Sequence, residues 1–173
     1  MSGNNIASLL ADSGKIFAGT YWGVLYVSDD NCITWQQVTN GIYHNEVKAI
    51  SKIGNNLIIA TGGGIYQSNN EGSSWFRTDT GLAAAYVYDL FIDGQNIFAA
   101  SEGNGVSIST DGGETWSYPD SAMASQSSQA VVVKNNSVFA GGTEGILYSS
   151  NYGISWIPKN NGLGSSPSHL SSL

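Results

Sequence analysis

Basic residues are scarce in this chain of 173 residues: six lysines and arginines stand against thirteen acids, a formal net charge of −7 with a pI near 4.4. That balance argues against nucleic acid as a partner, because phosphates demand a basic face. Cysteine is rarer still. Cys32 has no second thiol to pair with, so no internal disulfide forms and redox compartment is not set by it. No apolar run is long enough to span a bilayer, and no leader with a basic start, apolar middle and small-residue end precedes the first repeat. Membrane insertion is therefore not expected, and the chain reads as an excised or mature segment. A helical stripe of useful length is also missing. With 3 prolines and only 11% charged residues, the composition suits many short strands joined by tight turns.

What is abundant is glycine, at 22 residues, and a short motif that returns four times. Ser28 to Trp35 reads SDDNCITW, Ser68 to Trp75 reads SNNEGSSW, Ser109 to Trp116 reads STDGGETW and Ser149 to Trp156 reads SSNYGISW. The tryptophans fall 40, 41 and 40 residues apart. A period of that size marks a solenoid, propeller or array and outranks any local reading.

Comparing copies shows what each position supplies. The third residue is Asp30, Asn70, Asp111 or Asn151, and the shared property is a short side chain with an sp² oxygen acceptor, not a titratable proton. A general acid or base would need the ionisable group. The seventh is Thr34, Ser74, Thr115 or Ser155, always a hydroxyl. The fifth is Gly72, Gly113 or Gly153, where positive φ costs little, and Cys32 stands there in the first copy as a small turn residue. These residues predict β-hairpin turns closed by Asx and hydroxyl side chains, each folding its Trp back into the core. A calcium loop is not expected, because the ligand run D-x-D-x-D-G with a distant Glu is missing. No metal and no cofactor is predicted.

The pattern S-x-D-x-G-x-T-W resembles the Asp-box (BNR) repeat of sialidases, sortilin-type receptors, xyloglucanases and photosystem II assembly factors. The resemblance covers about residues 6 to 163. It implies an all-β fold of β-propeller blades, with each box in the turn between the third and fourth strands, away from the active face. Sialidases of this family hold their substrate's carboxylate with three arginines, whereas Arg77 is the one arginine here. Sialidase chemistry within this chain is therefore not expected. The resemblance also implies a secreted or cell-surface protein.

The repeats parse into four four-stranded antiparallel blades, about 6–46, 47–86, 87–128 and 129–163, with 164–173 starting a fifth. Short runs such as NLIIA and NIFAA read as strands buried on both faces. An open stack of blades leaves apolar faces at both ends. Three outcomes compete: a fragment of a longer protein, a four-blade unit that dimerises through its open ends into an eight-blade ring, and a distorted four-blade closure.

The face opposite the boxes is the expected site. Its turns and blade links bring Tyr21, Trp22, Tyr43, His44 and Tyr86 to candidate ligand-binding positions, suited to a glycan or a protein. Paired-carboxylate catalysis would need two acids facing a cleft, and Asp89 with Asp93, or Glu102 with Glu144, are the candidates. No nucleophile elbow or phosphate loop occurs. His169 reads as structural. The leading expectation is a non-catalytic binding or scaffold module; a glycoside hydrolase fragment whose catalytic residues lie on missing blades, and a structural spacer, are the alternatives.

Overall fold

A computed structural model of the chain describes residues 5–38, 40–43, 46–118, 120 and 126–163. Within them the chain builds antiparallel sheets in succession and no helix. The first sheet holds β1 (Ile6–Asp12), β2 (Lys15–Thr20), β3 (Leu25–Ser28) and β4 (Gln36–Val38). The second holds β5 (Val47–Ile53), β6 (Asn56–Thr61), β7 (Gly64–Ser68) and β8 (Phe76–Arg77). The third has β9 (Val87–Asp93), β10 (Asn96–Ser101) and β11 (Gly105–Ser109), and the last has β12 (Ser128–Lys134), β13 (Ser137–Gly142), β14 (Gly145–Ser149) and β15 (Ile157–Pro158). In the third sheet, among the described residues, a bridge of Ile108 with Ser117, whose two backbone bonds are 2.9 and 2.8 Å, stands where the outer strand was expected. These are β-propeller blades, each with its strands in chain order from inside to outside. Residues 164–173, expected to start a fifth blade, lie outside the described residues.

Blades stack face to face, β1 on β5, β5 on β9 and β9 on β12, so the core is a series of seams. Phe17 and Leu25 meet Ile50, Leu57 and Trp75 at the first seam. Ile58 and Ile65 meet Leu90, Ile97 and Trp116 at the second, and Phe98 and Ile108 meet Val131, Val138 and Trp156 at the third. Period-two alternation explains this: successive residues of a middle strand face opposite blades, so NLIIA and NIFAA must be apolar throughout. Every innermost strand carries a bulge at its second residue, Ala7, Lys48, Tyr88 or Gln129. The extra residue resets the alternation and turns one side chain per blade out of the ladder.

The repeated turn lies between β3 and β4, β7 and β8, β11 and Ser117, and β14 and β15. Its first serine donates its hydroxyl to the Asx oxygen at 2.7–2.9 Å and accepts the N–H of the fifth residue at 2.8–3.0 Å. The same Asx oxygen accepts the N–H of the seventh residue at 2.9–3.0 Å. An acceptor at the third position is thus what all copies use. The fourth and fifth residues both have positive φ: Asn31 and Cys32 (58° and 65°), Glu71 and Gly72 (57° and 83°), Gly112 and Gly113 (76° and 92°), Tyr152 and Gly153 (59° and 89°).

Glycine at the fifth position answers a second demand, from the preceding blade. A Cβ on Gly72 would stand 2.7 Å from Phe17 Cε1, on Gly113 2.2 Å from Gln67 Nε2, and on Gly153 2.4 Å from Ile108 Cδ1. No described blade precedes the first copy, and there Cys32 is exposed. The same cause corrects the expectation that every box Trp is core: Trp75, Trp116 and Trp156 are 5, 5 and 9% exposed, but Trp35 is 39% exposed.

Candidate functional site

Opposite the repeated turns, the loops between second and third strands are pinned to the chain entering their own blade. Tyr21 N donates to Asn5 O at 3.0 Å, Gly62 N to Glu46 O at 3.3 Å, Glu102 N to Tyr86 O at 3.0 Å and Thr143 N to Ser127 O at 3.3 Å. Four equivalent bonds make this face a fixed platform, on which side chains are presented with little conformational freedom to lose on binding.

One cluster on it combines residues of the first three blades. Lys48, the bulged residue of β5, sets its Nζ 4.1 Å from the centre of the Tyr21 ring, 5.6 Å from that of Tyr86 and 3.2 Å from Glu46 Oε2. Tyr86 donates its hydroxyl to the same Glu46 carboxylate, and its ring lies 4.9 Å from Tyr88 at 53°. Burial raises the Tyr88 hydroxyl pKa above its ordinary value, with the Glu102 and Glu46 charges adding to the effect. A cation between aromatic faces, bounded by carboxylates, is a polar centre in an aromatic frame. Trp22, next to Tyr21, is 70% exposed.

The predicted aromatic residues therefore divide. Tyr21 and Tyr86 come together over Lys48, and Trp22 stands free beside them. Tyr43 is exposed, and its backbone meets the Tyr66 hydroxyl of β7 near Arg77 and Asp79, apart from the ring contacts around Lys48. His44 and His169 lie outside the described residues. Lys48 and Tyr88 were missed by sequence reasoning, though a signal exists: aligned copies place Ala7, Lys48, Tyr88 and Gln129 at one position in otherwise similar strands.

Two of the candidate acids, Asp89 and Asp93, are engaged in bonds between blades. Asp89 accepts Leu90 N and Val131 N, each at 2.9 Å, tying β9 to β12 across the third seam. Burial pushes its pKa up. Asp93 accepts the Tyr152 hydroxyl of the fourth blade. Arg77 pairs with Asp79 at 2.5 Å on the outer strand. Among the described residues no group of three His, Cys, Asp or Glu is placed to hold a metal ion. On the turn side, a polar cleft of about 320 Å³ between the first two blades is lined by Asp29, Gln36, Gln37 and Asn40 and spanned by the Lys15–Glu71 ion pair at 2.9 Å.

No family model and no curated protein matches this chain. Solved structures do. The extracellular domain of a putative hybrid two-component system of B. thetaiotaomicron aligns with a TM-score of 0.77 at 16% identity over 91% of this chain and 25% of that one. An ancestral GH74 enzyme aligns with a TM-score of 0.70 at 19% identity over 92% of this chain, and YCF48 bound to D1 peptide with 0.66 at 17% identity over 91%. The chain has a propeller-type repeat fold. It spans 25% of the GH74 chain and 53% of YCF48. Among the described residues no helix is long and apolar enough to cross a membrane.

Proposed function

We propose that this chain is a non-catalytic binding segment of an Asp-box propeller that recognises a glycan on the face opposite the repeated turns. Trp22 carries the reading: an indole 70% exposed on a pinned turn, beside a tyrosine already packed on Lys48. Apolar sugar faces stack on such rings, and hydroxyls find acceptors in Glu46 and Glu102. The Asp-box assignment is supported by the shared bonding of all four turns, in which the third residue acts only as an acceptor toward the backbone. A secreted or cell-surface setting is supported by similarity to extracellular sensor domains.

A peptide ligand is the second reading, favoured by the likeness to YCF48 bound to D1 peptide. The engagement of Asp89 and Asp93 in seam bonds supports a binder over a hydrolase. Further blades carrying facing acids in a longer chain would favour the hydrolase.

The test is titration of the chain with a panel of oligosaccharides and of extended peptides, followed by Trp fluorescence and calorimetry. Trp22→Ala and Tyr21→Ala are expected to weaken binding by roughly tenfold or more without moving the melting midpoint. Binding of peptides alone selects the second reading. Binding that Trp22→Ala leaves unchanged overturns the site.

A further inference from the structure

The three seams are made from the same parts, and among the described residues each end blade carries one unengaged half of a fourth. On the side facing the preceding blade, the first and fourth residues of the inner strand are Val47 and Ile50, Val87 and Leu90, or Ser128 and Val131, none more than 7% exposed; in the first blade they are Ile6 and Leu9, 47% and 64% exposed. On the side facing the following blade, Phe17, Ile58 and Phe98 are buried, while Phe139 at the same position of the last blade is half-buried. Gln67 and Ile108 each reach over the glycine of the next repeated turn. Tyr148 holds their place in the last blade, half-buried and 5.2 Å from the Phe139 ring.

A backbone lock accompanies each of the first two seams. Trp75 N donates to Asn40 O at 3.1 Å and Trp116 N to Thr80 O at 2.9 Å. The glycine that follows each acceptor lies against the same tryptophan, so that a Cβ on Gly41 would stand 1.9 Å from Trp75 O, and on Gly81 2.3 Å from Trp116 O. Gly162 repeats the conformation, with φ of 91° against 91° and 86°, yet among the described residues nothing lies within 4 Å of its Cβ position. Trp35 is the exposed counterpart.

We propose that a second copy of this chain supplies the missing halves. Phe139, Tyr148 and Gly162 of one copy would seat on Ile6, Leu9 and Trp35 of the other, and a twofold operation makes this seam twice and closes eight blades into a ring. The occupant follows from continuity with the internal seams: both halves of the contact are present on this chain, and each is already complementary to the other in three internal instances. Closure through two seams at once leaves neither apolar end uncovered. One difference sets the strength of the junction. Cys32 replaces the glycine over which Tyr148 would lie, so the ring must shift to admit the thiol, and the copies separate more readily than the blades.

Sedimentation and light scattering on the whole chain at about 50 µM should give a dimer. Leu9→Asp and Tyr148→Asp should each give a monomer with unchanged circular dichroism, since neither side chain is fully buried within one copy. An equimolar mixture of the two should recover a heterodimer, because one of its two seams is wild type on both sides. Cys32→Gly should tighten the dimer, and the Cys32 thiol should label more slowly as protein concentration rises. A monomeric wild-type chain overturns the proposal, as does a dimer that neither charged substitution disturbs. Open-ended growth with concentration overturns the twofold closure.

Discussion

Asp111 and Thr115 hold each other twice, through the Thr115 hydroxyl donated to the carboxylate at 2.5 Å and the Thr115 N–H donated to it at 3.0 Å. In the second copy the side-chain bond runs the other way: Asn70 Nδ2 donates to the Ser74 hydroxyl at 2.8 Å while the backbone bond is kept. Charge is therefore interchangeable here and the acceptor is not. Asp111→Asn should lower the urea midpoint far less than loss of a core ring; Asp111→Ala, which orphans the Thr115 N–H, should lower it more. Equal midpoints for the Asn and Ala variants would refute the acceptor argument.

Trp116 is a seam residue whose indole N–H donates to Thr78 O of the preceding blade at 2.7 Å. Trp116→Ala should cost ~3–5 kcal/mol in a urea melt, because a large cavity opens between two blades. Trp35→Ala, in protein dilute enough to be monomeric, should cost only ~1–2 kcal/mol, because its ring is already partly in water. Comparable losses at both sites would show that the exposed ring is buried in solution.

The fifth position of the turn offers a paired comparison. Gly113→Ala combines positive φ with a Cβ 2.2 Å from Gln67 Nε2 and should destabilise by ~1–3 kcal/mol. Cys32→Gly relieves the same backbone strain where no described blade presses on it, so it should stabilise the monomer slightly. Thermal melts read both, and a destabilised Cys32→Gly would contradict the account.

Acid should weaken the fold through the turns. The Thr34 and Thr115 hydroxyls, then their N–H groups, hold the carboxyls of Asp30 and Asp111 down at about 2 from 3.8. With the folded pKa below the unfolded one, this stabilisation is complete above pH 3.8 and is lost as pH falls toward about 2. Asp89 runs in the opposite sense. Burial raises its pKa, so its ionised form costs stability at neutral pH and protonation removes that cost. Melting midpoints between pH 5 and about 2 should fall less steeply in an Asp30→Asn, Asp111→Asn double variant; parallel slopes would place the acid sensitivity elsewhere.

Chelator should leave the melting temperature unchanged. The Asp30 and Asp111 oxygens are occupied by hydroxyl and backbone donors inside their own turns, which leaves no convergent set of hard ligands. A fall of several degrees, reversed by calcium, would mean that the turns bind metal.

Much of the fold was legible because four copies sample one structure. Differences among them separate what a position needs from what one copy happens to contain, which is how Asp30 beside Asn70 ruled out a needed charge. The exposure of Trp35 was not legible from its own motif, since burial there depends on whether another blade precedes it. The Lys48 cluster was hidden for a related reason: strict alternation sends Lys48 into the ladder, and only the bulge turns it outward. Tyr43 and Tyr86 look alike in sequence as link residues, yet one follows the outer strands and the other enters the inner one.

The bulge recurs in all four blades, and each time it takes one residue out of the strand's alternation. Ala7, Lys48, Tyr88 and Gln129 are a methyl, a cation, a phenol and an amide at a single structural address, while the residues before three of them, Val47, Val87 and Ser128, are buried in the seams. Such a chain separates the inheritance of its architecture from the inheritance of its surface chemistry. Duplication of a blade copies the seams and adds one more bulged position, so new specificities can be tried one side chain at a time.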